Sequence, residues 1–374
     1  MKTTLAVLAL ALMAVPVVAA PTPATDVLIA ATPIAGAPAR SHAWRIRYRT
    51  SGTAGTAVAS GLVVVPVGRA PAGGRDIAAW THGTTGIADA RAPSTNRWKF
   101  SIIASLEPML ARGYVVVAPD YIGLGGPGMH PYLAGPDTAH AVLDAVRAAR
   151  AIPAAAASNR FAVWGEAQGG HAALWTGQLA ARYAPDLDLK DAAAAAPPTD
   201  LVANIAGAKN AAVGTLMTTY TGVSWAAVYG VPLSTIARPA GIDLMYRLAK
   251  NCVTLDGFRL GTKIGLVRMT YVLRNVDLSD SLRWGPLMRR NSVAPTPLGV
   301  PLLIAEGSAD VIVDPAVTRG FAGRMCAARQ PLRFIAVAGG DHVTIAKRTG
   351  AETVGWIGDR FAGKPAPNDC GSLG

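Results

Sequence analysis

Cysteine is scarce in this sequence. Three occur in 374 residues, Cys252, Cys326 and Cys370, and no two fall in a C-x-x-C spacing. That excludes the common thiolate zinc sites and a disulfide-dense scaffold. Histidine is sparse as well: six residues, dispersed, with no H-E-x-x-H, so neither a structural nor a catalytic metal is expected. Charged residues make up only 16% of the chain. Lys and Arg outnumber Asp and Glu by 35 to 23, a net charge of +12. They are scattered, however, without a basic run interleaved with aromatics, so no nucleic-acid partner is expected. The excess reads as solubility, with anionic envelopes or interfaces as the alternative. Beyond the first 18 residues no apolar run reaches the ~20 residues that a spanning helix needs, so stable membrane insertion is not expected. There is no internal repeat, and Gly and Pro mark turns without forming low-complexity tracts.

What is present begins with a leader. Lys2 supplies a positive start, Leu5 to Val18 an apolar run, and Val17 to Ala20 small residues suited to cleavage. Residues 1–20 are therefore expected to be a signal peptide and the mature protein secreted or periplasmic. In that oxidising setting Cys326 and Cys370, both in the last fifth of the chain, are the preferred disulfide pair. The 51% apolar content is ample for a core.

After a Pro/Ala/Thr-rich stretch to about Ala39, expected to lie on the surface as a strap, strand and helix patterns alternate. Strands are expected near His42–Tyr48, Val58–Pro66, Asp76–Thr81, Tyr114–Ala118, Phe161–Trp164, Ala193–Ala196, Pro301–Ala305 and Leu332–Val337. Helices are expected over Ile102–Arg112, from Asp137 or Thr138 to Ala151, and over His171–Tyr183, Pro315–Ala327 and Val343–Phe361. That beat predicts an α/β fold with a mostly parallel sheet flanked by helices. Residues 197–298 break it with apolar helix-like segments carrying Tyr220, Trp225, Tyr229, Tyr246 and Trp284. They are expected to form a helical cap inserted between late strands, dividing the core into 21–196 and 299–374.

The run Phe161-Ala-Val-Trp-Gly165-Glu166-Ala167-Gln168-Gly169-Gly170 has the strand, sharp turn and helix of a nucleophile elbow. Glycines two positions either side of the apex let it tighten, but the apex is Ala167 instead of serine. Downstream, Glu306-Gly-Ser-Ala-Asp310 and Gly339-Gly-Asp341-His342 each follow a strand, which places Asp310 and His342 at the sheet edge where ligands bind. Nucleophile, acid and histidine then stand in hydrolase order. Asp314 is a less favoured acid, and Asp341 is too close to His342 in sequence to orient it. His82-Gly83-Thr84 follows an early strand, so the backbone N–H groups of Thr84 and Gln168 are the expected oxyanion donors, with His82 itself outside the chemistry. Tyr121, Glu166, Trp225 and Tyr229 are expected to line the substrate pocket. Gly123-Leu-Gly-Gly-Pro-Gly128 fits a dinucleotide pattern, but Met129-His130-Pro131 follows where a helix should open, so a loop bordering the site is expected.

The runs Trp80-Thr-His82-Gly-Thr84-Thr-Gly86, Ala118-Pro-Asp120-Tyr121-Ile-Gly-Leu-Gly125 and His130-Pro-Tyr132-Leu133 together resemble the secretory lipase family, over nearly the whole mature chain. The resemblance implies an α/β-hydrolase core, a helical cap, no cofactor and hydrolysis of apolar carboxylic esters, and a monomer is expected. It implies the nucleophile at position 167, the acid at Asp310 and the base at His342. It also implies a cysteine in many bacterial relatives where Arg91 stands, which would leave Cys252 without a partner. Ala167 has two explanations: an engineered inactivating substitution made to trap ligand, or a natural silent relative that binds apolar ligands. Retention of Asp310, His342 and the oxyanion loop favours the first. Acyl transfer through the same acyl-enzyme is a further alternative.

Overall fold

The computed structural model describes residues 26–206, 211–250 and 260–373. The expected leader and Cys252 lie outside the described residues. Nine strands form one sheet in the order β1-β2-β3-β5-β4-β6-β7-β8-β9. They are β1 Leu28–Ile34, β2 Ser41–Gly52, β3 Gly55–Pro66, β4 Arg75–Thr81, β5 Val115–Ile122, β6 Ala157–Glu166, β7 Asp188–Ala195, β8 Leu302–Gly307 and β9 Leu332–Val337. The first three pair antiparallel and join β5 antiparallel; from β5 onward every pairing is parallel. The parallel strands are near-continuous apolar runs because helices cover both faces.

On one face lie α2 (Gly135–Arg150), α3 (Gln168–Tyr183) and α9 (Pro315–Ala327), which bury Val142, Val146, Leu174, Phe321 and Met325. On the other lie α1 (Leu106–Ala111) and α10 (Ile345–Phe361), whose Met109, Leu110, Val354 and Ile357 pack with Trp80 and Trp164. Between β7 and β8 the chain leaves the sheet for α4 (Leu201–Ala206), α5 (Ala211–Tyr229), α6 (Pro239–Ala249), α7 (Leu260–Leu273) and α8 (Trp284–Asn291). These helices share a separate core of Tyr220, Trp225, Met245, Met269 and Trp284. It reaches the sheet domain through Ile87, Tyr132 and Leu133.

Three sequence expectations need correction. The strap before Ala39 contains β1, an edge strand on β2. Most of its residues are only partly covered and Pro33 is tolerated at an edge, so it shows no clean alternation. The helix expected from Ile102 begins only at Leu106, because Ser105 turns left-handed at φ 54°. Helix α2 starts at Gly135 with Pro136 in its first turn. Asp137 does not cap it; its carboxylate accepts from the N–H and hydroxyl of Thr53 at 2.7 and 2.8 Å.

Cys326 in α9 is bonded to Cys370, which opens the short α11 (Cys370–Leu373), across a sequence separation of 44. Closing a loop of that length stabilises the fold by about 4 kcal/mol in the chain-entropy model. Denatured, unreduced protein should therefore show one reactive thiol per chain. Three would remove the bridge, and the Cys326→Ser protein should be the less stable one on urea unfolding.

Asp191 in β7 is fully buried, and burial pushes its carboxyl up to about 8 despite the Arg360 cation nearby. The folded chain then keeps a proton that the unfolded chain releases above its ordinary value near 4, so this group lowers stability as pH rises from 4 to 8. Asp191→Asn removes that slope. Urea midpoints of the two proteins should agree near pH 4 and separate steadily up to pH 8 with the Asn protein higher; parallel pH profiles would contradict it.

Candidate active site

The apex of the strand–helix turn is Ala167, at φ 49° and ψ −119° between β6 and α3. A side chain in that sparsely populated region costs on the order of 1–3 kcal/mol. The turn is nonetheless held on every side. The Ala167 N–H donates to Ala195 O at 2.9 Å, its carbonyl accepts from His171 N–H, and the Thr81 hydroxyl donates to Gly169 O at 2.8 Å. A Cβ at Gly169 would lie 1.9 Å from Thr81 O, so glycine is what lets the elbow press against the end of β4. Ala167→Gly should relieve the strain and raise stability by ~1 kcal/mol after glycine's entropic cost. A lower urea midpoint in that variant would argue against a strained apex.

Asp310 and His342 come together from the loops after β8 and β9. The His342 Nδ1–H donates to Asp310 Oδ2 at 2.7 Å, and Asp310 Oδ1 accepts from the N–H groups of Ile312 and Val313 at 2.8 and 2.9 Å. The Asp310 side chain is fully buried and that of His342 is 13% exposed. This fixes the tautomer, leaving Nε2 as the histidine's basic nitrogen. Neither rival acid meets the ring: Asp314 caps α9 through Ala316 N–H. Asp341 is exposed and accepts from the N–H and hydroxyl of Thr344, which hold its carboxyl below the usual range.

Glu166 is the residue before the apex, at the end of β6. Its carboxyl is pushed up to about 7 by burial, and the charge of His342 is what pulls it back down. A Cβ built on Gly83 would lie 3.4 Å from Glu166 Cγ, so the His82–Thr84 loop packs directly on the residue before the apex. Glu306 at the end of β8 is likewise raised to about 7, by burial first and by the Asp310 charge. Two carboxyls in addition to Asp310 thus feel the charge of His342, a feature that residue types alone do not reveal.

Other assigned residues make hydrogen bonds that shape the surrounding loops. Tyr121, expected in the pocket, is fully buried and its hydroxyl donates to His82 O at 3.1 Å, behind the loop. Trp225, expected there too, is also fully buried and its indole N–H donates to Tyr132 O at 2.8 Å. Tyr229 is half-buried, with its hydroxyl 3.2 Å from Asn291 Oδ1. His82 is buried and kept neutral by desolvation, its Nδ1 2.6 Å from Gly83 O, so it serves the loop's shape. Sequence reasoning passed over Asp120, whose buried carboxylate accepts from the hydroxyls of Ser60 and Ser94 at 2.6 and 2.5 Å and fastens the neighbouring loop. The glycine-rich run packs against His130. A Cβ on Gly123 would lie 2.4 Å from His130 N, so the glycine allows the loop to fold back on His130. Arg91 donates to Lys250 O at 3.0 Å, tying the sheet domain to the insertion two residues before Cys252.

The profile of the secretory lipase family matches residues 99–369. The chain belongs to that family. A probable inactive lipase of Mycobacterium tuberculosis is 27% identical over 270 residues, which cover 68% of this chain and 57% of that protein. Lipase 4 of Candida albicans is 26% identical over 285 residues, covering 71% and 59%. The chain therefore spans less than three fifths of the length of these curated relatives. Candida antarctica lipase A in its closed state superposes with a TM-score of 0.74 at 17% identity, covering 91% of this chain and 83% of that one. The rice cell wall degrading esterase LipA from Xanthomonas oryzae gives 0.70 at 20% identity, covering 91% and 98%. These likenesses are of fold: the chain has the α/β-hydrolase fold.

Proposed function

We propose that this family member carries the site of a secreted carboxylic-ester hydrolase acting on apolar esters, silenced at one atom. The observation that carries the reading is the Asp310–His342 hydrogen bond of 2.7 Å set beside the strained Ala167 elbow. With serine at the apex, His342 Nε2 takes the hydroxyl proton as the oxygen attacks the ester carbonyl. Asp310 steadies the imidazolium, and the N–H groups of Thr84 and Gln168 hold the oxyanion. The alcohol leaves with the proton from His342, and water activated by the same nitrogen releases the acid. The methyl group of Ala167 cannot begin this sequence. The insertion over 197–298 is the cap that shelters the acyl or alcohol part. Ala167 reads as an inactivating substitution in an otherwise complete site, tested by restoring the serine. Export fits a leader at 1–20 and the family's secretory character; among the described residues no helix is long and apolar enough to cross a membrane.

A second reading has one observation in its favour, the relative named as a probable inactive lipase. On that reading the chain is a natural ligand-binding protein that holds apolar molecules beneath the cap. Serine restoration separates the two, because a long-silent site has no reason to keep transition-state geometry.

A further inference from the structure

The loop between β5 and α2 carries one of the runs by which the chain resembles its family, but it has no part in the proposed mechanism. Its main chain is gripped by the insertion. The Ser224 hydroxyl of α5 accepts from Tyr132 N–H at 2.8 Å and donates to His130 O at 2.6 Å, while the Trp225 indole N–H donates to Tyr132 O at 2.8 Å. Its side chains point the other way. The Tyr132 hydroxyl lies 3.0 Å from Thr84 Oγ1, and His130 Nε2 lies 2.7 Å from the Gln168 side-chain nitrogen. The His130 Nδ1–H donates to Ile122 O at 3.0 Å, so Nε2 is an acceptor for the Gln168 amide. Burial holds the ring neutral, its pKa lowered to about 3, which preserves that lone pair. Thus the two residues whose backbone N–H groups would face the oxyanion are each held by one side chain of a single loop. Two consecutive residues of the insertion set that loop's position. His130, Tyr132, Gln168, Ser224 and Trp225 are buried, with Thr84 partly so, and hydrogen bonds there are hard to exchange for water.

We propose that the His130–Leu133 loop couples the seating of the helical insertion to the oxyanion donors, with His130 and Tyr132 as positioning residues for Gln168 and Thr84. The inference rests on the hydrolase reading for its catalytic consequence. When α5 sits on the sheet domain, Ser224 and Trp225 fix the loop and the donors stand ready. When α5 lifts, the loop loses three hydrogen bonds and the donors lose their braces. Misplacing a donor by about an ångström can cost on the order of a hundredfold in turnover.

The test uses two variants, Ser224→Ala and Tyr132→Phe, each in the Ala167→Ser protein and each in the chain as it stands. In the serine-restored protein each should lower kcat for a short p-nitrophenyl ester by about tenfold or more while KM moves less than about twofold, the mark of an interaction made in the transition state. The double variant should lose little beyond the worse single one, because both act through one loop. In the Ala167 chain, hydrogen exchange needs no turnover. Ser224→Ala should speed exchange of peptides covering 82–86 and 166–169 while leaving β8 unchanged. Unchanged kcat in both variants, losses confined to KM, multiplicative losses in the double variant, or unaltered exchange in those peptides would each overturn the coupling. If the serine-restored protein is inactive on every ester while exchange responds as described, the hydrolase reading fails and the mechanical link stands.

Discussion

Ala167→Ser should raise hydrolysis of short and medium p-nitrophenyl esters by on the order of 10⁴- to 10⁶-fold, the range lost when a serine triad is stripped of its nucleophile. The expectation is large because the remaining parts are in register. The Asp310–His342 bond is formed at 2.7 Å, the apex already holds its strained dihedrals, and Thr81 and Gly169 lock the elbow to the end of β4. A serine placed there needs no backbone change, since alanine already occupies the positive-φ position that any β-carbon finds costly. Continuous assay with the Ala167 protein as baseline measures the gain. If the serine-restored protein stays at background with every acyl length, the site is not a hydrolase lacking only its hydroxyl, and the silent-binder reading replaces it.

His342→Ala in the serine-restored protein should lose nearly all of that gain, because nucleophile and base work as one unit and removing either costs about as much as removing both. Asp310→Asn should cost somewhat less, on the order of 10⁴-fold, by no longer holding the ring in the tautomer that presents Nε2. A His342 variant with near-normal kcat would put the base elsewhere. His82, His130 and His171 offer no alternative, since burial drives each away from the protonated form and a main-chain carbonyl engages each ring.

The parts that were legible in the sequence are those that depend on order along the chain. An apolar strand, a tight glycine-flanked turn and an amphipathic helix pointed to the elbow at Ala167. Asp310 and His342 could be read because each follows a short apolar run at a strand end, and the topology of a parallel sheet sends such ends to one edge. What escaped depends on meetings across long separations. Tyr121 and Trp225 looked like pocket residues because aromatics near a motif often are. Their hydroxyl and indole groups also satisfy carbonyls at His82 and Tyr132, 39 and 93 residues away, a pairing that no local pattern encodes. The raised carboxyls of Glu166 and Glu306 are invisible for the same reason, since burial is a property of the packed state. The edge strand β1 was missed because its weak alternation reflects exposure on both faces.

On the hydrolase reading, this site lacks a hydroxyl and nothing else. Covalent labelling tests it most directly: a fluorophosphonate, read by intact mass and peptide mapping, given to the Ala167 protein and to the Ala167→Ser protein side by side. The serine-restored protein should carry one phosphonyl adduct per chain, located at position 167 and abolished by His342→Ala, and the Ala167 protein should carry none. An unlabelled serine-restored protein, or equal labelling of both at some other residue, would contradict it.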